Sequence, residues 1–193
     1  MSGPVKSGSV KPDPAERSGG AHQELRALFL EDTLQDAELA ITELRRNGFV
    51  FISRIVQTET GFRTALKDFV PHLIVADYSL PSFNGLVALN VAQHLLPDVP
   101  FIFLSGAIGE EKAVSLLRAG ATDWVLKNHL GLLGPAVRRA LREAGQRAEA
   151  RRAVEALRET IDVLRHTKSS FKSRALGDLR QKLQRLVDST PWW

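Results

Sequence analysis

Short apolar runs and longer amphipathic stretches alternate along residues 25 to 144. The apolar runs have the length of short strands and begin near Leu25, Phe49, His72, Pro100 and Asp123. The amphipathic stretches have the length of helices. Four of them are Leu34–Asn47, Glu59–Asp68, Gly85–Leu95 and Gly109–Ala119, and a fifth begins near Leu130. Alternating strands and helices with short connections predict a parallel sheet covered by helices on both faces.

Turn-forming residues separate these segments. Asn47-Gly48 ends the first predicted helix, and Pro97 and Pro100 separate the third helix from the fourth strand. Five strand-helix units favour a flavodoxin-like, doubly wound α/β fold with a five-stranded parallel sheet in the order 2-1-3-4-5. In that order strands 1 and 3 are neighbours, and their carboxyl ends lie at the edge where such folds bind ligands.

The chain after the fifth predicted strand has a different pattern. Residues 138–165 contain no proline and carry four apolar residues at spacings of 3, 4 and 3, namely Val154, Leu157, Ile161 and Leu164. After a polar joint at 166–170 the same spacing recurs in Leu176, Leu179, Leu183 and Leu186. We predict two helices separated by a break, packed as an αα-hairpin or as a dimeric coiled coil. The expected division is a disordered arm (1–22), an α/β domain (23–144) and a helical extension (145–193).

Composition narrows the class of protein. The 193 residues include no cysteine, which excludes disulfides, thiol chemistry and cysteine zinc sites. No apolar run approaches the ~20 residues of a membrane span, and the first 22 residues lack the apolar core of a signal peptide, so we expect a cytoplasmic protein. The net charge of +4 comes from the extension, where 11 Lys and Arg accompany 6 Asp and Glu. These charges are interspersed, which favours a solvated helical surface over a nucleic-acid site.

Polar side chains stand at the ends of four predicted strands. Glu31-Asp32 follows the first strand, Asp77 ends the third, Ser105 the fourth, and Lys127 follows the fifth. In a parallel sheet these ends meet at one edge, so three carboxylates, a hydroxyl and an ammonium group share a cleft. Crowded carboxylates repel one another, and Mg²⁺ relieves that repulsion because it prefers oxygen ligands. The hydroxyl and the ammonium group then suit a phosphoryl group on Asp77.

The order and spacing of these residues resemble a known family. Pro81 and Gly85 follow Asp77, and the aromatic Trp124 precedes Lys127. With the acidic pair and the serine described above, this pattern resembles the response-regulator receiver domains of the CheY-like family over the whole α/β domain. The resemblance implies a phosphoprotein of a bacterial two-component system, phosphorylated on Asp77 by a sensor histidine kinase or a phosphotransfer protein. It then switches protein–protein interactions.

The resemblance also implies a metal site and its ligands. Asp32 would ligate Mg²⁺ directly and Glu31 through a water molecule. Asp77 and the backbone carbonyl of Ser79 would complete the protein ligands. Most relatives carry Asp where this chain has Glu31, a longer side chain that shifts the geometry of the site.

Three further residues receive roles from the resemblance. Ser105 and Lys127 would bind phosphoryl oxygens, and Lys127 would pair with Asp77 before phosphorylation. Trp124 occupies the position of an aromatic switch whose rotamer follows the serine, with a static surface aromatic as the alternative. The family usually has a cis proline after the lysine, whereas this chain has Asn128, which leaves the conformation of that loop open.

The expected function is therefore a signalling switch and not an enzyme, with at most slow self-dephosphorylation. One alternative is a transcription regulator that binds DNA through the basic extension, although about 50 residues are short for a winged-helix domain. A second is a phosphatase with an aspartyl nucleophile, but Ser79 stands where such enzymes carry a second aspartate. We expect a homodimer formed through the extension, no membrane association and no sequence-specific nucleic-acid binding.

Overall fold

A computed structural model describes residues 24–81, 83–106, 110–166 and 174–188 of the chain. Five strands are present in the described residues, β1 (Leu25–Leu30), β2 (Phe51–Val56), β3 (Leu73–Asp77), β4 (Phe101–Ser105) and β5 (Asp123–Leu126). Six helices accompany them, α1 (Leu34–Arg46), α2 (Glu59–Asp68), α3 (Gly85–Leu95), α4 (Glu110–Arg118), α5 (Leu133–His166) and α6 (Arg174–Asp188). A 3-10 helix, Lys127–Leu132, joins β5 to α5. The predicted arm (1–22) lies outside the described residues.

The strands form one parallel sheet in the order β2-β1-β3-β4-β5, which confirms the predicted fold. All residues of β3 and β4 are buried, as expected for central strands that are covered on both faces. Their carboxyl-terminal residues, Asp77 and Ser105, are therefore fixed by strands that cannot shift without disturbing the core. The edge strand β2 is more open, and only Phe51 is fully buried there.

Alternate strand residues point into two separate cores, one on each face of the sheet. On one face Phe101 and Phe103 pack with Phe62 of α2 and Leu89 of α3. On the opposite face the buried residues come from the strands and from helices α1 and α5, and include Phe29, Val75, Ile102, Leu44 and Val137. The first part of α5 therefore belongs to the core of the α/β domain.

Helix α1 ends where the sequence predicts, at Asn47-Gly48. Gly48 has a φ of +84°, a left-handed conformation that glycine adopts without a steric penalty. Its amide donates to the carbonyl of Arg45, and the amide of Phe49 donates to that of Leu44. The chain then turns back into β2.

Helix α5 is continuous over 34 residues, so the predicted boundary between Ala144 and Gly145 falls inside one helix. Gly145 is exposed in the interior of this helix, and no described residue lies within 4 Å of an added Cβ there. Arg151 forms an ion pair with Asp98, which lies before β4. The division into two domains stays a prediction.

Helix α6 packs against the end of α5 around three buried residues, Val154, Ile161 and Val187. Val187 does not belong to the 3-4-3 pattern of four leucines that predicts the packing side of α6. Of those four leucines, only Leu183 is partly buried in this contact. The others, Leu176, Leu179 and Leu186, are 38%, 46% and 56% exposed. The 3-4-3 spacing therefore identifies an apolar stripe on α6, whereas the contact with α5 is made by one side of it.

Candidate functional site

The polar residues predicted to meet at one edge of the sheet do so. Glu31 directly follows β1, Asp77 and Ser105 end β3 and β4, and Lys127 directly follows β5. These four strands are consecutive parallel neighbours, so their carboxyl ends lie side by side. The arrangement results from strand order and register.

Glu31, Asp32 and Asp77 form an acidic cluster. Each offers a carboxylate oxygen, and these atoms lie within 4.8 Å of one another. Glu31 and Asp77 are only 3% and 6% exposed, whereas Asp32 is exposed and leaves the cluster open to solvent on one side. Three oxygen donors at this spacing fit a hard divalent cation such as Mg²⁺, which binds a few carboxylates and keeps several waters.

The buried position of Glu31 has an electrostatic consequence. Burial raises the pKa of its carboxyl group from 4.5 to about 7, and the nearby charge of Asp77 adds to that effect. The ammonium of Lys127 and the amide of Thr33 lower the pKa in part, since both stabilise the charged form. A cation bound at the cluster would also lower the pKa of Glu31. The charge state of Glu31 therefore depends on what occupies the site.

Lys127 contacts three carboxylates, two from the acidic cluster and that of Asp36. Its Nζ lies 2.8 Å from Glu31 Oε2, 2.9 Å from Asp77 Oδ2 and 2.7 Å from Asp36 Oδ2. The contacts to Asp36 and Asp77 have hydrogen-bond geometry, while the contact to Glu31 Oε2 is an ion pair without it. Burial alone would lower the pKa of Lys127, but its contacts with the carboxylates of Asp36, Glu31 and Asp77 outweigh burial and hold the pKa above its usual value.

Sequence reasoning missed Asp36. It lies in the first turn of α1 and is one helical turn beyond the acidic pair, four residues after Asp32. The position of Asp36 in the sequence could have indicated this contact, because a helix that starts at Leu34 brings its first turn next to the end of β1. An aspartate in a first helical turn is commonly explained by the helix dipole, so it did not stand out.

Ser105 is completely buried, and its Oγ has no hydrogen-bond partner among the described residues. A buried hydroxyl without a partner is costly, so such an atom indicates a ligand position. Gly106, the next residue, is exposed, and no described residue lies within 4 Å of an added Cβ there.

The turn after β3 fixes the orientation of Asp77. The amide of Ser79 donates to Asp77 Oδ1 at 2.9 Å, so residue 79 lies beside the carboxylate. Asn84 caps α3 by accepting from the amide of Leu86. Gly85 is required by close approach, because an added Cβ would lie 2.9 Å from the Phe103 ring and 3.1 Å from the Asp77 carbonyl oxygen. The glycine lets α3 start directly against the end of β3.

Trp124 lies on β5, three residues before Lys127. It is partly buried and packs against the core cluster that contains Phe103. Its amide donates to Asp123 Oδ1 at 2.9 Å. The peptide bond between Lys127 and Asn128 is trans, and the chain continues as a 3-10 helix. The role of Trp124 as a switch stays a prediction.

Comparison with known proteins identifies relatives for about half of the chain. No protein-family model matches it. Regulatory protein LuxO of Vibrio vulnificus (strain YJ016) is 32% identical over 99 residues, which cover 51% of this chain and 21% of LuxO. DNA-binding response regulator MtrA of Mycobacterium leprae (strain TN) is 30% identical over 104 residues, which cover 53% of this chain and 44% of MtrA. The matched segment is thus less than half of each relative.

The solved structures agree in fold. The signal receiver domain of a LuxO repressor protein from Vibrio parahaemolyticus superposes with a TM-score of 0.58 at 22% identity, covering 66% of this chain and 97% of that domain. In sequence and fold the α/β domain is similar to the receiver domains of response regulators, and it is called the receiver below. Its carboxyl edge carries the residues described above, and α5 continues beyond the length of the receiver. Every described helix is too short or too polar to cross a lipid bilayer.

Proposed function

We propose that this protein is a two-component response regulator whose receiver accepts a phosphoryl group on Asp77. The observation that carries the proposal is the combination of a buried Asp77 held by Lys127 with the unpartnered hydroxyl of Ser105 at the same edge. The lysine supplies a positive charge, and the hydroxyl supplies a donor for a phosphoryl oxygen. The neighbouring strand β1 brings two further carboxylates.

The transfer itself needs little from the protein beyond position and charge. A carboxylate oxygen of Asp77 attacks the phosphorus of a phosphohistidine, a new oxygen–phosphorus bond forms, and the nitrogen–phosphorus bond breaks. The imidazole takes the electron pair and is protonated as it leaves. Ser105 and Lys127 bind the phosphoryl oxygens and stabilise their charge, which is the main requirement in phosphoryl transfer.

We propose Mg²⁺ as the cofactor, held by Asp32, Asp77 and the backbone carbonyl of Ser79, with Glu31 acting through water. The proposal is supported by the acidic cluster, in which three carboxylate oxygens lie within 4.8 Å of one another. A bound cation would offset the repulsion among these carboxylates and the incoming phosphoryl group. We propose a histidine kinase or a phosphotransfer protein as the phosphodonor, because MtrA, one of the proteins similar to this chain, is a response regulator.

We further propose a signalling role without metabolic catalysis, in the cytoplasm where phosphohistidine donors are made. The only turnover we expect is slow hydrolysis of the aspartyl phosphate. Phosphorylation would alter the surface around β4 and β5, because Ser105 ends one strand and Trp124 lies in the other. A rotamer change of Trp124 is the proposed signal to partner proteins.

We propose that α6 mediates a homodimer. Leu176 and Leu179 are 38% and 46% exposed on a helix whose other side packs against α5. Burying a leucine fully is worth roughly 1.5–3 kcal/mol, so pairing with a second copy would be favourable. Sedimentation should give a dimer at micromolar concentration and a monomer for the variant with both residues changed to Gln. A full-length monomer would reject the dimer.

The DNA-binding alternative has less support. Arg151 and Arg165, two of three arginines at heptad spacing in α5, already pair with Asp98 and Asp162. Charges that are neutralised within the chain contribute little to phosphate binding. We expect no footprint on DNA at physiological salt. A footprint that disappears when Arg151, Arg158 and Arg165 become alanine would establish the alternative.

The test of the main proposal is phosphorylation with acetyl phosphate and Mg²⁺, followed by intact-mass measurement. We expect one added phosphoryl group on the parent protein and none on Asp77→Asn. Asp68→Asn, which removes a surface carboxylate paired with Arg54, is the matched control and should be phosphorylated normally. Equal phosphorylation of Asp77→Asn and the parent would show that the acceptor is another residue.

A further inference from the structure

Lys127 has one carboxylate partner that does not belong to the acidic cluster. Its Nζ is closest to Asp36 Oδ2, at 2.7 Å, compared with 2.8 Å to Glu31 and 2.9 Å to Asp77. Two of these contacts, those to Asp36 and Asp77, are hydrogen bonds, and the contact to Glu31 is an ion pair. A phosphoryl oxygen that binds Lys127 must therefore compete with three carboxylates for one ammonium group.

The three partners differ in what else they can bind. Glu31 and Asp77 lie in the cluster that suits a divalent cation, so a cation would compete with Lys127 for their oxygens. Asp36 is outside that cluster, and its side chain is 36% exposed compared with 4% for Glu31 and 7% for Asp77. When the cation is bound, Asp36 is the carboxylate that remains free to hold the ammonium group.

We propose that Asp36 is a positioning residue that holds Lys127 in competition with the phosphoryl group and so slows the phosphorylation of Asp77. The inference rests on the proposed function. Because Asp36 stands in the first turn of α1, its position is fixed by the helix, and the lysine must turn away from it to reach a phosphoryl oxygen. Removing this carboxylate leaves Lys127 available to the transferring group.

The first experiment compares the phosphorylation rates of the parent protein and Asp36→Asn with acetyl phosphate at saturating Mg²⁺. Asparagine keeps the size of the side chain but loses the charge, so the ion pair is lost. We expect the rate to rise about two- to fivefold, within the range that corresponds to one partly exposed ion pair. Asp36→Glu keeps the charge and should stay close to the parent.

Glu38→Gln is the matched control for net charge. Glu38 lies on the same helix and is exposed, and the substitution removes the same charge. It should leave the rate unchanged. An equal increase in Glu38→Gln and Asp36→Asn would overturn the proposal, because general charge repulsion of the anionic donor would then explain both.

A double-mutant cycle with Lys127→Ala tests whether Asp36 acts through the lysine. We expect Asp36→Asn to bring no increase in the Lys127→Ala background, because the group that it releases is absent. The same increase in both backgrounds would overturn the proposal and indicate direct repulsion by Asp36. An unchanged or lower rate for Asp36→Asn in the parent background would overturn it as well.

The failure of this inference and that of the proposed function give different results. If the parent protein gains a phosphoryl group that Asp77→Asn does not, the acceptor is established whatever Asp36 does. If Asp77→Asn is phosphorylated as well as the parent, the proposed function fails, and the competition for Lys127 fails with it. Intact-mass measurement on all variants under one set of conditions distinguishes these results.

Discussion

The carboxyl edge of the receiver and the contact between α5 and α6 are held together in different ways. At the edge Asp77 and Ser105 end strands that are buried on both faces. The contact of α6 with α5 rests on three fully buried residues and two partly buried ones. The backbone at the edge can therefore shift only if the main core shifts, whereas α6 can separate from α5 without disturbing the sheet. The proposed phosphoryl transfer would take place where the backbone is rigid, and the proposed dimer contact would form where the packing is weaker.

The largest effect that separates the two regions is expected from Ile161→Ala. Ile161 is 2% exposed and lies at the centre of the α5–α6 contact. Truncating a buried isoleucine to alanine costs about 2–5 kcal/mol, a large loss for a cluster of three buried residues. We expect α6 to separate from α5, with fast amide exchange in 174–188 and unchanged exchange in β3 and β4. Exchange that increases equally in the sheet would show that the two regions fold as one unit.

Gly85→Ala should instead affect the carboxyl edge of the sheet. The added Cβ would lie 2.9 Å from Phe103 and 3.1 Å from the Asp77 carbonyl, inside a packed core. Such overpacking costs about 1–3 kcal/mol and moves the end of β3. We expect a lower midpoint of urea unfolding and slower phosphorylation of Asp77. Normal stability with normal phosphorylation would show that the start of α3 is adaptable.

The strand-end residues could be predicted because their positions depend on features that sequence records well. Strands that alternate with helices predict a parallel sheet, and five such units predict its strand order. The polar residue at the end of each apolar run then lies at the carboxyl edge of the sheet. Glu31, Asp32, Asp77, Ser105 and Lys127 all lie where this reasoning places them. Their functional roles stay predictions.

Two features could not be predicted because they depend on how helices are placed around the sheet. Asp36 reaches Lys127 from α1, across 91 positions in sequence, and helix orientation decides that contact. Val187 faces α5 although the heptad spacing favours the leucines beside it. An apolar stripe on a helix is broad, so spacing identifies the stripe but not which side of it makes a given contact.

Acidity should weaken Mg²⁺ binding through Glu31. Because burial raises the pKa of Glu31 to about 7, its carboxyl group is mostly charged at pH 8 and mostly protonated at pH 6. A proton bound to Glu31 must be released before its carboxylate can interact with the cation. The affinity for Mg²⁺ should therefore fall by up to about tenfold as the pH falls from 8 to 6. Titration of Trp fluorescence with Mg²⁺ at several pH values measures this effect. Glu31→Gln should bind more weakly and lose the dependence in this range.

The same raised pKa affects the stability of the metal-free protein. The folded-state pKa of about 7 lies above the unfolded value of 4.5, so the folded state binds more protons between these pH values. The free energy of unfolding should therefore fall as pH rises from 4.5 to 7 and become constant above that range. Added Mg²⁺ should reduce this loss. Stability that rises over the same interval in metal-free protein would contradict the assignment.

The smallest effect is expected from Gly145→Ala, the counterpart of Gly85→Ala in the other region. Gly145 lies in the interior of α5, and nothing lies within 4 Å of an added Cβ. Alanine is favoured over glycine in a helix by up to about 1 kcal/mol, so this substitution should slow amide exchange around residue 145. A glycine-to-alanine substitution would then destabilise the packed edge of the sheet at Gly85 and stabilise the exposed helix at Gly145. If Gly145→Ala is destabilising instead, α5 is bent or broken near Gly145 in solution, and the extension moves independently of the receiver.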